Sequence, residues 1–169
     1  MPASEVIHRH DVEGLYHEHH GWLHGWLRTR MGSVSDAADL TQDTFLSIIS
    51  SGVCRDIREP RPFLVTVARR LMARSLRRKL LEASYLEALA ALPESLAPSP
   101  EVQWLALEAL QQLDMALDGL PVVVREAFLL AHLQGMTYAQ IADQLKVSQS
   151  SVKQYLTKAN RHCMFAIAP

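Results

Sequence analysis

Only two cysteines occur in the 169 residues, Cys54 and Cys163, far apart and in no CxxC or other metal-ligand spacing. That scarcity excludes a disulfide framework and fits buried or free thiols in a reducing compartment. No uninterrupted apolar stretch approaches the length of a bilayer crossing, and the start "MPASEVIHRHDVEG" lacks a basic region followed by an apolar core. The sequence therefore predicts a cytoplasmic protein with no membrane insertion. Glycine (7 residues) and proline (8) are sparse, while hydrophobic residues make up 49% and charged residues 21%, the composition of an ordered globular chain rather than a disordered tail. Alternating apolar patterns are lacking in almost every segment, and β-branched runs are few. Leu and Ala recur at helical spacing through almost every segment, so the expected fold class is all-α. There is no internal repeat and no low-complexity tract.

A net charge of one sign is also lacking, since the formal total is −1. The total conceals segregation along the chain. Residues 55–79 hold nine Lys or Arg against Asp56 and Glu59, residues 80–145 hold nine acids against Arg125, and from Lys146 onward there are four bases and no acid. Separated blocks of this kind point to a polyanion met at two places, with an acidic span between them.

The clearest interruption is "ALPESLAPSPEVQW", where Pro93, Pro98 and Pro100 remove backbone donors and bias their predecessors away from helix. It divides the chain into two small helical domains, 1–89 and 105–169, joined by a proline-containing linker over 90–104.

In the second part, Thr137 followed by Gln140 is a capping-box signature, and Tyr138, Ile141, Ala142 and Leu145 share one helix face. Ser148 then reads as an N-cap, and Val152, Tyr155, Leu156, Ala159 and Cys163 form a second apolar stripe. Small Ala142 permits close approach, Val147 and Val152 fill the angle between the helices, and the pair reads as a helix-turn-helix. The turn position usually held by Gly is Lys146, where positive φ costs about 1 kcal/mol. Ser150, Lys153, Gln154, Thr157 and Arg161 occupy the opposite face, with donors suited to phosphates and base edges, and the N–H groups near Gln149 and Ser150 favour an anion. Upstream, Pro121 sits where a first helical turn tolerates it, and Val124, Phe128 and Leu130 or Ala131 can pack beneath the motif.

In "PRPFLVTVARRLMARSLRRK" Leu64, Val67, Ala68 and Leu71 make an apolar stripe, while Arg70, Arg74, Arg77 and Arg78 follow another face. No acid interleaves between Arg69 and Lys79, which favours a nucleic-acid partner over a merely solvated face. In "SDAADLTQDTFLSII" Ala37, Leu40, Thr44 and Ile48 form one stripe and Asp39, Gln42, Asp43 and Leu46 another. The second stripe is suited to a protein surface of complementary charge.

These segments, in this order from about His10 to His162, resemble regions two and four of the extracytoplasmic-function sigma factors of bacterial RNA polymerase. "SYLEALAALPE", "APSPE" and the final "RHC" resemble more narrowly the iron-starvation, ferric-citrate-type branch. The resemblance implies a factor that binds core RNA polymerase and promoter DNA, directs initiation at iron-siderophore uptake genes, and answers to a membrane-spanning anti-sigma or sigma regulator. It implies core-polymerase contacts at Asp36, Asp39, Leu40, Gln42, Asp43 and Phe45. It places Arg61, Phe63, Arg69, Arg70, Arg74, Arg77 and Arg78 near the minus-ten element. Gln149, Ser150, Ser151, Lys153, Gln154, Lys158 and Arg161 would face the minus-thirty-five element. Arg74 and Leu76 depart from the pattern, in which related sequences often carry an acidic and an aromatic residue.

"YHEHHGWLHGW" spaces His17, His20 and His24 one helical turn apart, which one metal ion could bridge. A polar helix face beside core residues Trp22, Leu23 and Trp26 is the favoured reading, with no metal, no cofactor and no catalytic residue expected. No nucleophile, paired carboxylates or Gly-rich phosphate loop supports an enzyme. A stand-alone helix-turn-helix regulator is the alternative, but it leaves the acidic face and the Arg-rich helix without a role.

Overall fold

The computed structural model describes the backbone of residues 3–52 and 57–167, with side chains from residue 12 to 166 within those bounds. Cys54 lies outside the described residues. Every regular element among them is helical: α1 (Ala3–Met31), α2 (Val34–Ser51), α3 (Pro60–Ala90), a 3-10 turn (Glu94–Leu96), α4 (Pro100–Asp118), α5 (Val122–Leu133), α6 (Tyr138–Leu145) and α7 (Gln149–Ile167). Contacts divide the chain into two compact units, the first through Ser75 and the second from Leu76, so the division falls inside α3.

In the first unit Ser33 caps α2, its side chain accepting from the Asp36 N–H, and Gly52 closes the helix at φ 67 in the left-handed region. The helix between these caps buries Ala37, Leu40, Phe45 and Ile48 against Leu23 and Leu27 of α1 and Leu64 and Ala68 of α3. Thr41 and Thr44 are fully buried within this stripe. Their hydroxyls donate to the Ala37 and Leu40 carbonyls at 2.6 and 2.7 Å, so neither polar group is left unsatisfied. Each fully buried Leu in the cluster contributes about 1.5–3 kcal/mol.

Between α3 and α4 the helix-free stretch covers residues 91–99, apart from the 3-10 turn. Ser99 restarts the helix, its side chain accepting from the Val102 N–H, with Pro100 in the first turn where its missing donor does no harm. A hydrogen bond from Ser99, aided by the backbone at the helix start, holds the Glu101 carboxyl below its usual range.

The second unit packs Leu81 of α3 with Leu117, Leu120, Val124, Phe128, Ile141, Val152, Leu156 and Ala159 in one cluster. Burial in the same cluster pushes the Cys163 thiol up. His162 bonds the Ala116 carbonyl at 3.0 Å and so ties α7 to the end of α4. A Cβ at Gly119 would stand 3.1 Å from the His162 ring, which makes glycine the residue that admits this approach.

The capping box at Thr137 and Gln140 is present, and α6 ends at Lys146 with φ 56 and ψ 43. Lys146 is the one non-glycine residue at positive φ among the described residues. Its ion pair with Asp143, at 3.5 Å between side chains 81% and 88% exposed, does little to offset the strain. Replacing Lys146 with Gly is expected to stabilise the protein by about 1 kcal/mol in urea unfolding. An unchanged or lower stability would show that the turn carries no such strain.

Candidate nucleic-acid interface

Rotation of α7 about its own axis is set by its buried stripe. Val152 and Ala159 are fully buried, Leu156 and Cys163 nearly so. Ser148 accepts the Ser151 N–H at 3.1 Å and fixes where the helix begins. With one face committed inward, Ser150, Lys153, Gln154, Thr157, Lys158 and Arg161 line an open groove on the other. Gln149 is exposed beside it, while Ser151 is half-buried and its hydroxyl pairs with that of Ser148 at 2.9 Å. The groove therefore presents three cations and several hydrogen-bonding side chains along about three turns, with no acid in α7. Tyr138, assigned to the apolar face of α6, is 48% exposed and stands apart from the buried Ile141 and Ala142.

The basic part of α3 divides into two environments. Arg61, Arg69, Arg70 and Arg78 are exposed and Phe63 and Arg74 half-buried, around an inward stripe of Leu64 and Ala68. Arg77 differs. It is 7% exposed, its Nε donating to Asp114 Oδ1 at 2.7 Å and its Nη2 to Asp118 Oδ1 at 2.6 Å. Arg125 lies 3.9 Å from the same Asp118 oxygen. In this arrangement Arg77 is an internal ion-pair partner rather than one of the exposed cations that its periodicity indicates. The sequence carried a signal for this: Asp114 interrupts the Leu110, Leu113 and Leu117 stripe, and a carboxylate at such a position requires a cation.

On α2, Asp39, Gln42, Asp43 and Leu46 are exposed on one face and Asp36 is half-buried in the first turn. Leu40 and Phe45, grouped with them in the expected polymerase contact, are 5% and 2% exposed. They face the core and hold the rotation that turns the acidic residues outward. Gln42 donates to the Tyr16 hydroxyl at 3.2 Å, a link across α1 and α2 that periodicity alone does not reveal.

His17, His20 and His24 of α1 take ordinary aromatic contacts, while His19 lies 3.8 Å from the Glu18 carboxylate. His20 lies between Tyr16, at 4.6 Å between ring centroids, and Phe45, at 6.3 Å. Among the described residues no three His, Cys, Asp or Glu are grouped as a metal ion requires. Trp22 and Trp26, expected in the core, are only half-buried. The Arg61 guanidinium lies 5.0 Å from the Trp22 ring centroid, and those of Arg30 and Arg69 lie 4.0 and 6.0 Å from that of Trp26. No helix among the described residues is long and apolar enough to cross a membrane.

Because Asp114 is nearly inaccessible, removing Arg77 takes a charged hydrogen-bond partner away from a buried carboxylate. Arg77→Met should destabilise the protein by about 3 kcal/mol in urea unfolding. The neighbouring Arg78→Met, at an exposed side chain, should stay within about 0.5 kcal/mol of the parent. Equal effects from the two would contradict the buried pair.

Residues 15–80 match the family described as Sigma-70 region 2, and residues 110–163 match Sigma-70, region 4. The chain is 53% identical over 152 residues to the ferric citrate uptake sigma factor FecI of Escherichia coli (strain K12), covering 90% of this chain and 88% of that one. A solved structure of the RsbN-BldN complex aligns with a TM-score of 0.34 and 20% identity, over 91% of this chain and 89% of the other. With two sigma-70 regions in sequence order and a relative of this identity along nearly its whole length, the chain belongs to the sigma-70 family, as an extracytoplasmic-function sigma factor of the ferric-citrate type.

Proposed function

We propose that the chain works in the cytoplasm, joins core RNA polymerase through the acidic face of α2, and brings two DNA-facing surfaces to a bipartite promoter. Asp39, Gln42 and Asp43, with Asp36 at the helix start, form the polymerase face; Leu40 and Phe45 serve it from within. The exposed cations of α3, Arg61, Arg69, Arg70 and Arg78, with Arg74 and Phe63 beside them, meet the melted minus-ten element. On α7, Gln149, Ser150, Lys153, Gln154, Lys158 and Arg161 enter the major groove of the minus-thirty-five element, with Ser151 holding the helix start. Arg77 joins the DNA surface only after release from Asp114 and Asp118.

The observation that carries this reading is the polar groove along α7, which is acid-free and backed by a rigid apolar stripe. Its chemistry is binding, and the chain is read as carrying no reaction of its own. The name of the Escherichia coli relative, a ferric citrate uptake sigma factor, supports promoters of iron-uptake genes as the targets; a membrane-spanning regulator as the controlling partner rests on the family resemblance of the sequence alone.

Run-off transcription with purified core polymerase, on promoters taken from such genes, tests the reading. Wild type should direct discrete transcripts, and Asp39→Arg with Asp43→Arg should reduce them at least about tenfold, since like-charge juxtaposition at an interface costs several kcal/mol. No transcript from wild type, with specific duplex binding by the free chain, would establish a stand-alone regulator instead. A second expectation concerns α7. Lys158→Ala should weaken minus-thirty-five binding uniformly across sequences and lower the salt slope by about one, whereas Gln154→Ala should relax preference at one base pair. Identical sequence profiles for the two variants would contradict the assigned roles.

A further inference from the structure

Trp22 and Trp26 stand one turn apart on α1, beside Leu23 and Leu27, which are fully buried. The leucines anchor the helix. The indoles are left at the margin of the core, half-buried, about 6 Å apart along the axis. Each faces a guanidinium from α3: Arg61 over Trp22 and Arg69 over Trp26. Arg30 covers Trp26 at 4.0 Å from the ring centroid and is held there by donating to the Trp26 carbonyl at 3.2 Å.

An isolated arginine on an indole is a common surface contact of small value. Here three arginines gather on two indoles, and the sequence has no acid between Glu18 and Asp36 or between Glu59 and Glu82. The face is rich in flat aromatic edges and fixed cations and poor in anything that neutralises them. That is the combination a single nucleic-acid strand uses, bases on the rings and phosphates on the cations. Duplex DNA offers the phosphates but keeps its bases stacked inside.

We propose that α1 contributes Trp22, Trp26 and Arg30 to a single-stranded-DNA-binding face shared with Arg61 and Arg69 of α3. The proposal rests on the reading of α3 as the surface for melted promoter DNA and extends that surface onto a helix to which nothing else assigns DNA contact. The bound strand runs across the α1–α3 seam. The indoles accept unpaired bases at their exposed edges, and the stacked guanidiniums, already held out from the core, reach phosphates with little further ordering.

The test uses the full chain with Trp104→Phe, which removes the remaining tryptophan, an exposed residue of α4, and leaves Trp22 and Trp26 as the emitters. It is titrated at low salt with single-stranded oligothymidylate of about twelve nucleotides, within the span of known single-strand sites, while a label on the strand reports anisotropy. Emission should fall by at least about half with the same midpoint as the anisotropy, as unpaired bases packed against the exposed edges of both indoles require. Arg30→Ala should weaken binding by about fivefold, the loss of one cation–π and phosphate contact, and lower the salt slope by about 0.7. Unchanged emission overturns the proposal, whether or not anisotropy registers a bound strand, because a strand held elsewhere leaves both indoles as they were. A chain that quenches but directs no promoter-specific transcript keeps this face and loses the sigma reading. One that directs transcripts without quenching loses this face alone.

Discussion

The buried stripe Val152, Leu156, Ala159 and Cys163 is the constraint from which the geometry of the proposed DNA-facing groove follows. A helix with one face locked in a core has no freedom to choose which residues it shows to solvent. The stripe packs against Ile141 and Ala142 of α6 and the Val124 and Phe128 side of α5, all in one cluster. Close packing of that kind does not slide by part of a turn without opening voids, so the register of the outward residues is as fixed as that of the inward ones. The backbone positions of Lys153, Gln154, Lys158 and Arg161 are thereby preorganised, so that only their side-chain rotamer freedom is left to lose on binding.

The same logic governs α2 and the first half of α3. Ala37, Leu40, Phe45 and Ile48 turn Asp39, Gln42 and Asp43 outward, and Leu64 with Ala68 turns Arg61, Arg69 and Arg70 outward. Acidic and basic surfaces are thus kept on separate helices by apolar packing rather than by their own electrostatics. Arg77 is the place where charge enters the packed interior, and it does so with both carboxylates in hydrogen-bond contact. Such a pair adds little net stability over an apolar substitute but penalises any arrangement that separates its members.

Much of this was legible in the residues. The all-α class, the capping box at Thr137, the Ser148 start and the left-handed turn at Lys146 were each readable, because they are local: they depend on residues within one or two turns. The outward sets on α2 and α7 were readable for a related reason, since periodicity reports which residues share a face. What periodicity does not report is what a face meets. Arg77 lies on the same arc as Arg70 and Arg74, and only the approach of Asp114 and Asp118, 37 and 41 residues later, separates it from them. Leu40 and Phe45 enter the expected polymerase contact through the family resemblance, yet their side chains point to the core, as the periodicity of α2 indicates for Leu40. The indoles of Trp22 and Trp26 read as core because Trp usually is; their partners, Arg61 and Arg69, come from a helix some forty residues away.

The central claim is that two DNA-facing surfaces on this chain act together, and only in company with polymerase. Footprinting on an iron-uptake promoter, with and without core enzyme, and with permanganate to mark unpaired thymines, addresses it most directly. The account predicts two separated protected blocks and reactive thymines in the downstream block, all dependent on core polymerase. One protected duplex site formed by the free chain, with no reactive thymine when core is added, would contradict it.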